Sequence, residues 1–298
     1  MIDMHARLAQ APGFIAALDQ SGGSTPGALR LYGVPDAAYG DDEAAMFRLM
    51  HEMRVRIISA PAFTGDKVFA AILFERTMDG EAGGRPVPEF LRARGAVPLL
   101  KVDAGLEAEA DGVCLMKPMP RLDGLLERAV RLGVAGTKMR STIRLASPAG
   151  IDAVAAQQFE VAARIADQGL MPIIEPEVLI KSPEKAAAEG LLRDALLRRL
   201  DTLPAGRRVM LKLTLPEESG FYGALVDHPA VARVVALSGG YACADACARL
   251  ARNRGIVASF SRALVEDLRH DMDDADFDRT LAAAIDTIFL ASTQKTQA

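Results

Sequence analysis

Val209-Met210-Leu211-Lys212-Leu213 is an apolar run broken at one position by a lysine. In a β-strand successive side chains point to opposite faces, so Met210, Lys212 and Thr214 share one face, with Val209, Leu211 and Leu213 on the other. Seven further runs of this kind recur along the chain: Phe14 to Leu18, Phe69 to Phe74, Val97 to Val102, Val134 to Met139, Met171 to Ile174, Arg233 to Leu237 and Ile256 to Phe260. Each ends at a polar residue or glycine and is followed by a longer segment with helical periodicity, the pattern of βα units around a parallel sheet.

Between the runs, Met46, Leu49, Met53 and Ile57 form a helical stripe, as do Ile151, Val154, Phe159, Ala162 and Ile165. Ser147 suits the N-cap of the second helix and Pro148 its first turn, where proline's missing N–H costs nothing. Gly169 can take the left-handed position after its end. The segment from Asp79 to Pro88, with Gly80, Gly83, Gly84 and Pro86, reads as a loop too short to separate two domains. Eight right-handed βα crossovers in this length match one closed (β/α)8 TIM barrel of the α/β class, spanning 1–298 as a single domain. An open doubly wound sheet would need fewer strands and a switch point.

Bulk composition narrows the function classes. The 298 residues are 50 % hydrophobic, enough for a sizeable core, and the formal net charge of -4 leaves no broad basic surface for nucleic acid. The opening Met1-Ile2-Asp3-Met4-His5 has polar residues where a signal peptide needs an apolar core, and no stretch is long enough to span a bilayer, so a cytoplasmic protein without membrane contact is expected. Cys114, Cys243 and Cys247 form an odd set with no second pair to complete a zinc site, and read as buried thiols. His5, His51, His228 and His270 are scattered, and none ends an expected strand, so no metal centre and no cofactor are expected.

In a barrel the C-terminal strand ends meet at one mouth. Polar residues there are Asp19, Glu75, Lys101, Lys138, Glu175, Lys212, Ser238 and Arg262. A lysine in the run around Lys212 must point into a cavity or be paired. Desolvation, and neighbouring cations such as Lys138 and Lys101, disfavour its ammonium form and leave an amine able to attack a ketone carbonyl. The plainer alternative is a snorkelling or ion-paired lysine at a strand end. Glu175, held extended by Pro176, could shuttle protons beside that amine or serve only as its counter-ion.

Two loops read as anion cradles. Ser21, Gly22, Gly23 and Ser24 follow Asp19, where a tight turn is the simpler reading and a phosphate cradle the other. Ser238-Gly239-Gly240-Tyr241 is joined by Ser259-Phe260-Ser261-Arg262, glycine amides and an arginine where barrels often hold phosphate. Two cradles across one mouth suit a bisphosphate.

In this order the motifs resemble class I fructose-bisphosphate aldolases, most closely the short bacterial form. They are Gly13 to Ser24, Leu100-Lys101-Val102-Asp103, Gly136-Thr137-Lys138-Met139-Arg140-Ser141, Ile174-Glu175-Pro176-Glu177, Leu211-Lys212, Leu237 to Gly240 and Ser259 to Leu264. The resemblance implies a metal-independent lyase of glycolysis and gluconeogenesis that acts on phosphorylated sugars. It implies that Lys212 forms the imine, Glu175 dehydrates the carbinolamine, Asp19 takes the C4 hydroxyl proton and Lys138 orients intermediates. By the same carry-over Ser238, Gly239, Gly240 and Arg262 bind the phosphate near C1, Ser21, Ser24, Lys101 and Arg140 lie toward the C6 phosphate, and Glu177 supports from behind. A homo-oligomer is compatible with all of this.

Two departures from the animal-type pattern stand out. There a Tyr-Gly pair separates the serine of the last motif from the arginine, whereas here Ser261 runs directly into Arg262, and the chain ends Ser292 to Ala298 without a terminal tyrosine. Rival readings are a transaldolase-like Schiff-base barrel and a barrel kept only as a binding scaffold. The paired cradles oppose the first and the intact Lys212, Glu175, Lys138 and Asp19 set opposes the second.

Overall fold

The computed structural model describes residues 3–296. Eight parallel strands close on themselves: β1 Phe14–Leu18, β2 Val68–Leu73, β3 Val97–Lys101, β4 Gly136–Ile143, β5 Met171–Val178, β6 Val209–Thr214, β7 Val231–Leu237 and β8 Ile256–Phe260. Each pairs with the next, and Ile15 opposite Ser259 joins β1 to β8, which leaves the ring without an edge. The expected (β/α)8 barrel is the fold.

The period-two alternation sorts the strand residues into two apolar layers. Inward-facing Ile15, Ala17, Ile72, Val97, Leu99, Met171, Ile173, Met210 and Val235 pack together inside the ring, with Leu8 of the helix Met4–Gln10 among them. Outward-facing Phe14, Ala16, Leu18 and Leu211 join the larger layer beneath the surrounding helices. Burial of one such side chain stabilises the fold by about 1.5–3 kcal/mol.

Strands β1 and β8 have the expected ends, but β4 and β5 run on to Ile143 and Val178. Their last residues are polar on the inward face, so the apolar run stops before the strand does. Lys138 and Glu175 therefore lie within strands rather than at their tips. In the helix Glu43–Ser59 the buried stripe is Phe47, Met50, Met53, Arg54 and Ile57, rotated from the expected one; Met46 and Leu49 are only partly buried. The helix Pro148–Asp167 ends as anticipated: the Ser147 side chain accepts from the Gly150 N–H, and Gly169 has φ 77°. The Asp79–Pro88 loop contains a small hairpin, Glu81–Ala82 against Arg85–Pro86, turned by Gly83 and Gly84 at φ 57° and 71°. Among the described residues, Cys114 and Cys247 are buried free thiols, Cys243 is partly buried, and no helix is long and apolar enough to cross a membrane.

Candidate active site

One alternation step above Met210, the inward face of β6 carries Lys212, 4 % exposed. Its Nζ lies 2.9 Å from Glu175 Oε1 on β5. Glu175 Oε2 is 3.0 Å from Lys138 Nζ on β4, and Lys138 Nζ is 2.6 Å from Asp19 Oδ2, just beyond β1. All four side chains are buried, and they form a row of alternating charge across the barrel mouth.

That row settles the ionisation of two members. Burial pushes the Asp19 carboxyl up, but Lys138 and then Lys212 outweigh it and hold the group well below the usual carboxylate range. Burial likewise works against the Lys138 ammonium, and Asp19 and Glu175 outweigh it, raising that group above the usual lysine range. Lys101 is paired with Asp103 at 2.6 Å. The expectation that Lys138 and Lys101 act on Lys212 as bare cations is corrected here: each carries its own carboxylate, which cancels most of its field.

A cavity of about 610 Å³ opens on this row. Of the expected site residues it brings together Asp19, Ser21, Lys101, Lys138, Arg140, Glu175, Glu177, Lys212, Ser238, Gly239 and Arg262. Gly239, at φ 62°, takes a backbone shape that favours glycine, and a Cβ there would sit 2.6 Å from Ile180 Cγ2. Gly240 follows at φ 114°, off the cavity wall, and the Arg262 guanidinium packs against it. On the other side Arg140 Nε pairs with Glu177 Oε2 at 3.2 Å, and burial raises the Glu177 carboxyl above its ordinary range against the pull of Arg140.

One expected strand-end residue lies elsewhere. Glu75 is not at the central mouth: β2 ends at Leu73, and the helical turn Glu75–Met78 carries Glu75 to a neighbouring cavity, where it pairs with Arg128. Ser24 ends the short turn Gly22–Ser24, and its side chain lies outside the described residues.

Asp103, Gln158, Arg54 and Gln20, which frame the cavity or its walls, have no role in the sequence reading, and Ser261 figures there only as part of the second cradle. Asp103 holds Lys101 and accepts the Arg140 N–H at 3.2 Å. Gln158 takes the Glu175 N–H at 2.9 Å and donates to Ser141 at 3.0 Å. Arg54, 2 % exposed, donates to the Gln20 carbonyl and to Thr77 Oγ1. Burial lowers its guanidinium to about 10, against the attraction of Asp19. Gln20 and Ser261 line the cavity and are hydrogen-bonded to each other. Gln158 and Arg54 had a readable signal, a polar residue on the apolar stripe of its helix. Among the described residues no three His, Cys, Asp or Glu side chains gather as metal ligands would.

Comparisons with known proteins fit this geometry. The family model for class I fructose-bisphosphate aldolase matches residues 41–201. A class 1 fructose-bisphosphate aldolase of Synechocystis sp. is 56 % identical over 94 % of this chain and 94 % of its own. One of Porphyromonas gingivalis is 51 % identical over 96 % of this chain and 97 % of its own. The solved fructose-bisphosphate aldolase of Plasmodium falciparum is 21 % identical, superposes with a TM-score of 0.77 and covers 98 % of this chain and 94 % of that one, a likeness of fold. The chain belongs to the class I fructose-bisphosphate aldolase family.

Proposed function

We propose that this family member cleaves and forms fructose 1,6-bisphosphate through an imine on Lys212, as one catalytic domain with Glu175, Lys138 and Asp19 as its working groups. The observation that carries the reading is the 2.9 Å contact between Lys212 Nζ and Glu175 Oε1 in the buried wall of the cavity. Proton transfer along that contact leaves a neutral amine and a protonated carboxyl, the two groups that imine formation needs.

The amine adds to the C2 carbonyl, and the Glu175 acid gives its proton to the departing hydroxyl, so that water leaves and a protonated imine forms. Asp19, held as carboxylate by Lys138, takes the proton of the C4 hydroxyl. The C3–C4 bond breaks, its electron pair moves onto the iminium to give an enamine, and glyceraldehyde 3-phosphate departs. Protonation at C3 and hydrolysis release dihydroxyacetone phosphate and restore the amine. Lys138 keeps a fixed positive charge beside the reacting carbons. Ser238, the Gly239 amide and Arg262 hold the C1 phosphate, while Ser21, Lys101 and Arg140, the last braced by Glu177, face the C6 phosphate. The same reading makes it a cytoplasmic enzyme of glycolysis and gluconeogenesis, handling phosphorylated sugars.

Borohydride reduction in the presence of dihydroxyacetone phosphate tests the assignment. The adduct mass is expected on the peptide containing Lys212, and Lys212→Met should lose the adduct together with about 10⁴-fold or more of cleavage activity, as removal of a covalent nucleophile does. An adduct on another lysine overturns the reading.

A further inference from the structure

The loop after β1 and the end of β8 are tied by one hydrogen bond, Gln20 Nε2 donating to Ser261 Oγ at 2.7 Å. Both ends of that bond are held. Arg54, buried in the helix Glu43–Ser59, donates to the Gln20 carbonyl and fixes residue 20 from behind. Ser261 directly precedes Arg262, whose guanidinium packs against Gly240. Both residues line the central cavity.

The direction of the bond decides what Ser261 can offer. Gln20 Oε1 is buried without a donor. Turning the amide over would instead bury an unpartnered NH₂, a worse orphan than a carbonyl oxygen. Nε2 therefore points at Ser261. A serine hydroxyl has one proton to give, and with its oxygen accepting from Gln20 that proton is directed elsewhere. Among the described residues no acceptor takes it. Beside it stands Arg262.

We infer that Gln20 and Ser261 form a donor relay for the anion held by Arg262, with Ser261 contacting the phosphate and Gln20 as its positioning residue. The inference rests on the reading that Ser238, Gly239 and Arg262 bind the C1 phosphate. A side-chain donor at residue 261 adds one charge-assisted hydrogen bond, and its strength depends on residue 20 being a donor rather than an acceptor. A carboxylate at residue 20 would reverse the relay, turning the Ser261 proton inward and setting a negative charge near the phosphate.

The test reads binding apart from chemistry. The Kd for inorganic phosphate is measured by calorimetry, and the dihydroxyacetone phosphate concentration for half-maximal borohydride trapping is measured on the same proteins. Ser261→Ala should raise both about tenfold. Ser261→Thr, which keeps the hydroxyl, should stay within about twofold of wild type. Gln20→Glu should exceed the effect of Ser261→Ala, and Gln20→Leu should weaken binding in the wild type but add nothing once Ser261 is alanine. Unchanged phosphate affinity in Ser261→Ala, no phosphate binding by the wild type, or an equal Gln20→Leu effect with and without Ser261 overturns the relay. Phosphate binding with the predicted pattern but no trapping at Lys212 sinks the imine reading and leaves the relay standing.

Discussion

The lower and upper halves of the barrel interior are built from the same strands by the same alternation, yet they do opposite things. On β6, Met210 and Lys212 point the same way two residues apart, both nearly inaccessible, one into a dry packed layer and the other into a row of charges. Below, Ile15, Leu99, Ile173 and Val235 exclude water and stabilise by area removed from solvent. Above, Lys212, Glu175, Lys138 and Asp19 sit in that water-poor surrounding, and each is tolerable there because an opposite charge touches it. The lower layer gives the upper one its low dielectric, and the upper layer gives the barrel its chemistry.

The comparison breaks most sharply at Lys138, which touches both Asp19 and Glu175. Lys138→Met should destabilise the fold by about 3–5 kcal/mol at neutral pH, because it leaves buried carboxylates short of a partner. The pH dependence follows from the two shifts. Asp19, depressed from its ordinary 3.8, supports the fold above that value and loses its support as pH falls below it. Lys138, raised from 10.5, supports the fold below that value and loses its support as pH climbs past it. The gap between wild type and Lys138→Met, read by urea denaturation, should be widest between those two values and should narrow in acid. A gap that is constant with pH would mean that the row is not held by charge.

The complementary substitution is Met210→Ala. It opens a hole in the lower layer and should cost about 2–4 kcal/mol of stability by the same denaturation curves. Borohydride trapping at Lys212 should persist in the folded variant. Loss of trapping without loss of stability would show that the two layers cannot be separated.

How legible each layer was in the sequence follows from what marks it. The apolar runs of β1 and β8 gave their ends because an apolar strand stops where its side chains stop being buried by other side chains. In β4 and β5 the inward face turns polar while the strand continues, so the apolar runs stop at Met139 and Ile174, short of the strand ends at Ile143 and Val178. Glu75 misleads for the reverse reason: β2 ends at Leu73 and the helical turn Glu75–Met78 begins after Phe74, a change of direction that nothing in the apolar run announces. Lys212, Glu175, Lys138 and Asp19 could be named because charge inside an apolar run requires an explanation. The Lys212–Glu175 pair is one of the two readings the sequence offers, but the contacts of Lys138 with Asp19 and Glu175 are not legible, since they join strands far apart in the chain. Arg54 and Gln158 each occupy an apolar-face position of a helix, a local contradiction that periodicity can expose but cannot interpret without knowing that Gln20 and Glu175 lie opposite.

A finer division runs within the upper layer, between carboxylates stabilised by their neighbours and one that is not fully compensated. Glu177 is buried, and its ion pair with Arg140 reaches a guanidinium whose side chain is 44 % exposed, so screening weakens the pull. Burial therefore prevails and lifts the carboxyl above its ordinary 4.5. The sign is opposite to that of Asp19: the unfolded chain ionises first, so this group withdraws stability as pH rises through and above 4.5. Glu177→Gln keeps the shape and removes that penalty. It should raise stability by about 0.5 kcal/mol at pH 7, a small surface-scale effect, and change nothing at pH 4. The same variant should bind fructose 1,6-bisphosphate more weakly, because Arg140 loses the group that aims it. A variant less stable at pH 7 than at pH 4, relative to wild type, would put Glu177 with Asp19 among the compensated charges, and the cost now assigned to holding Arg140 at the mouth would disappear.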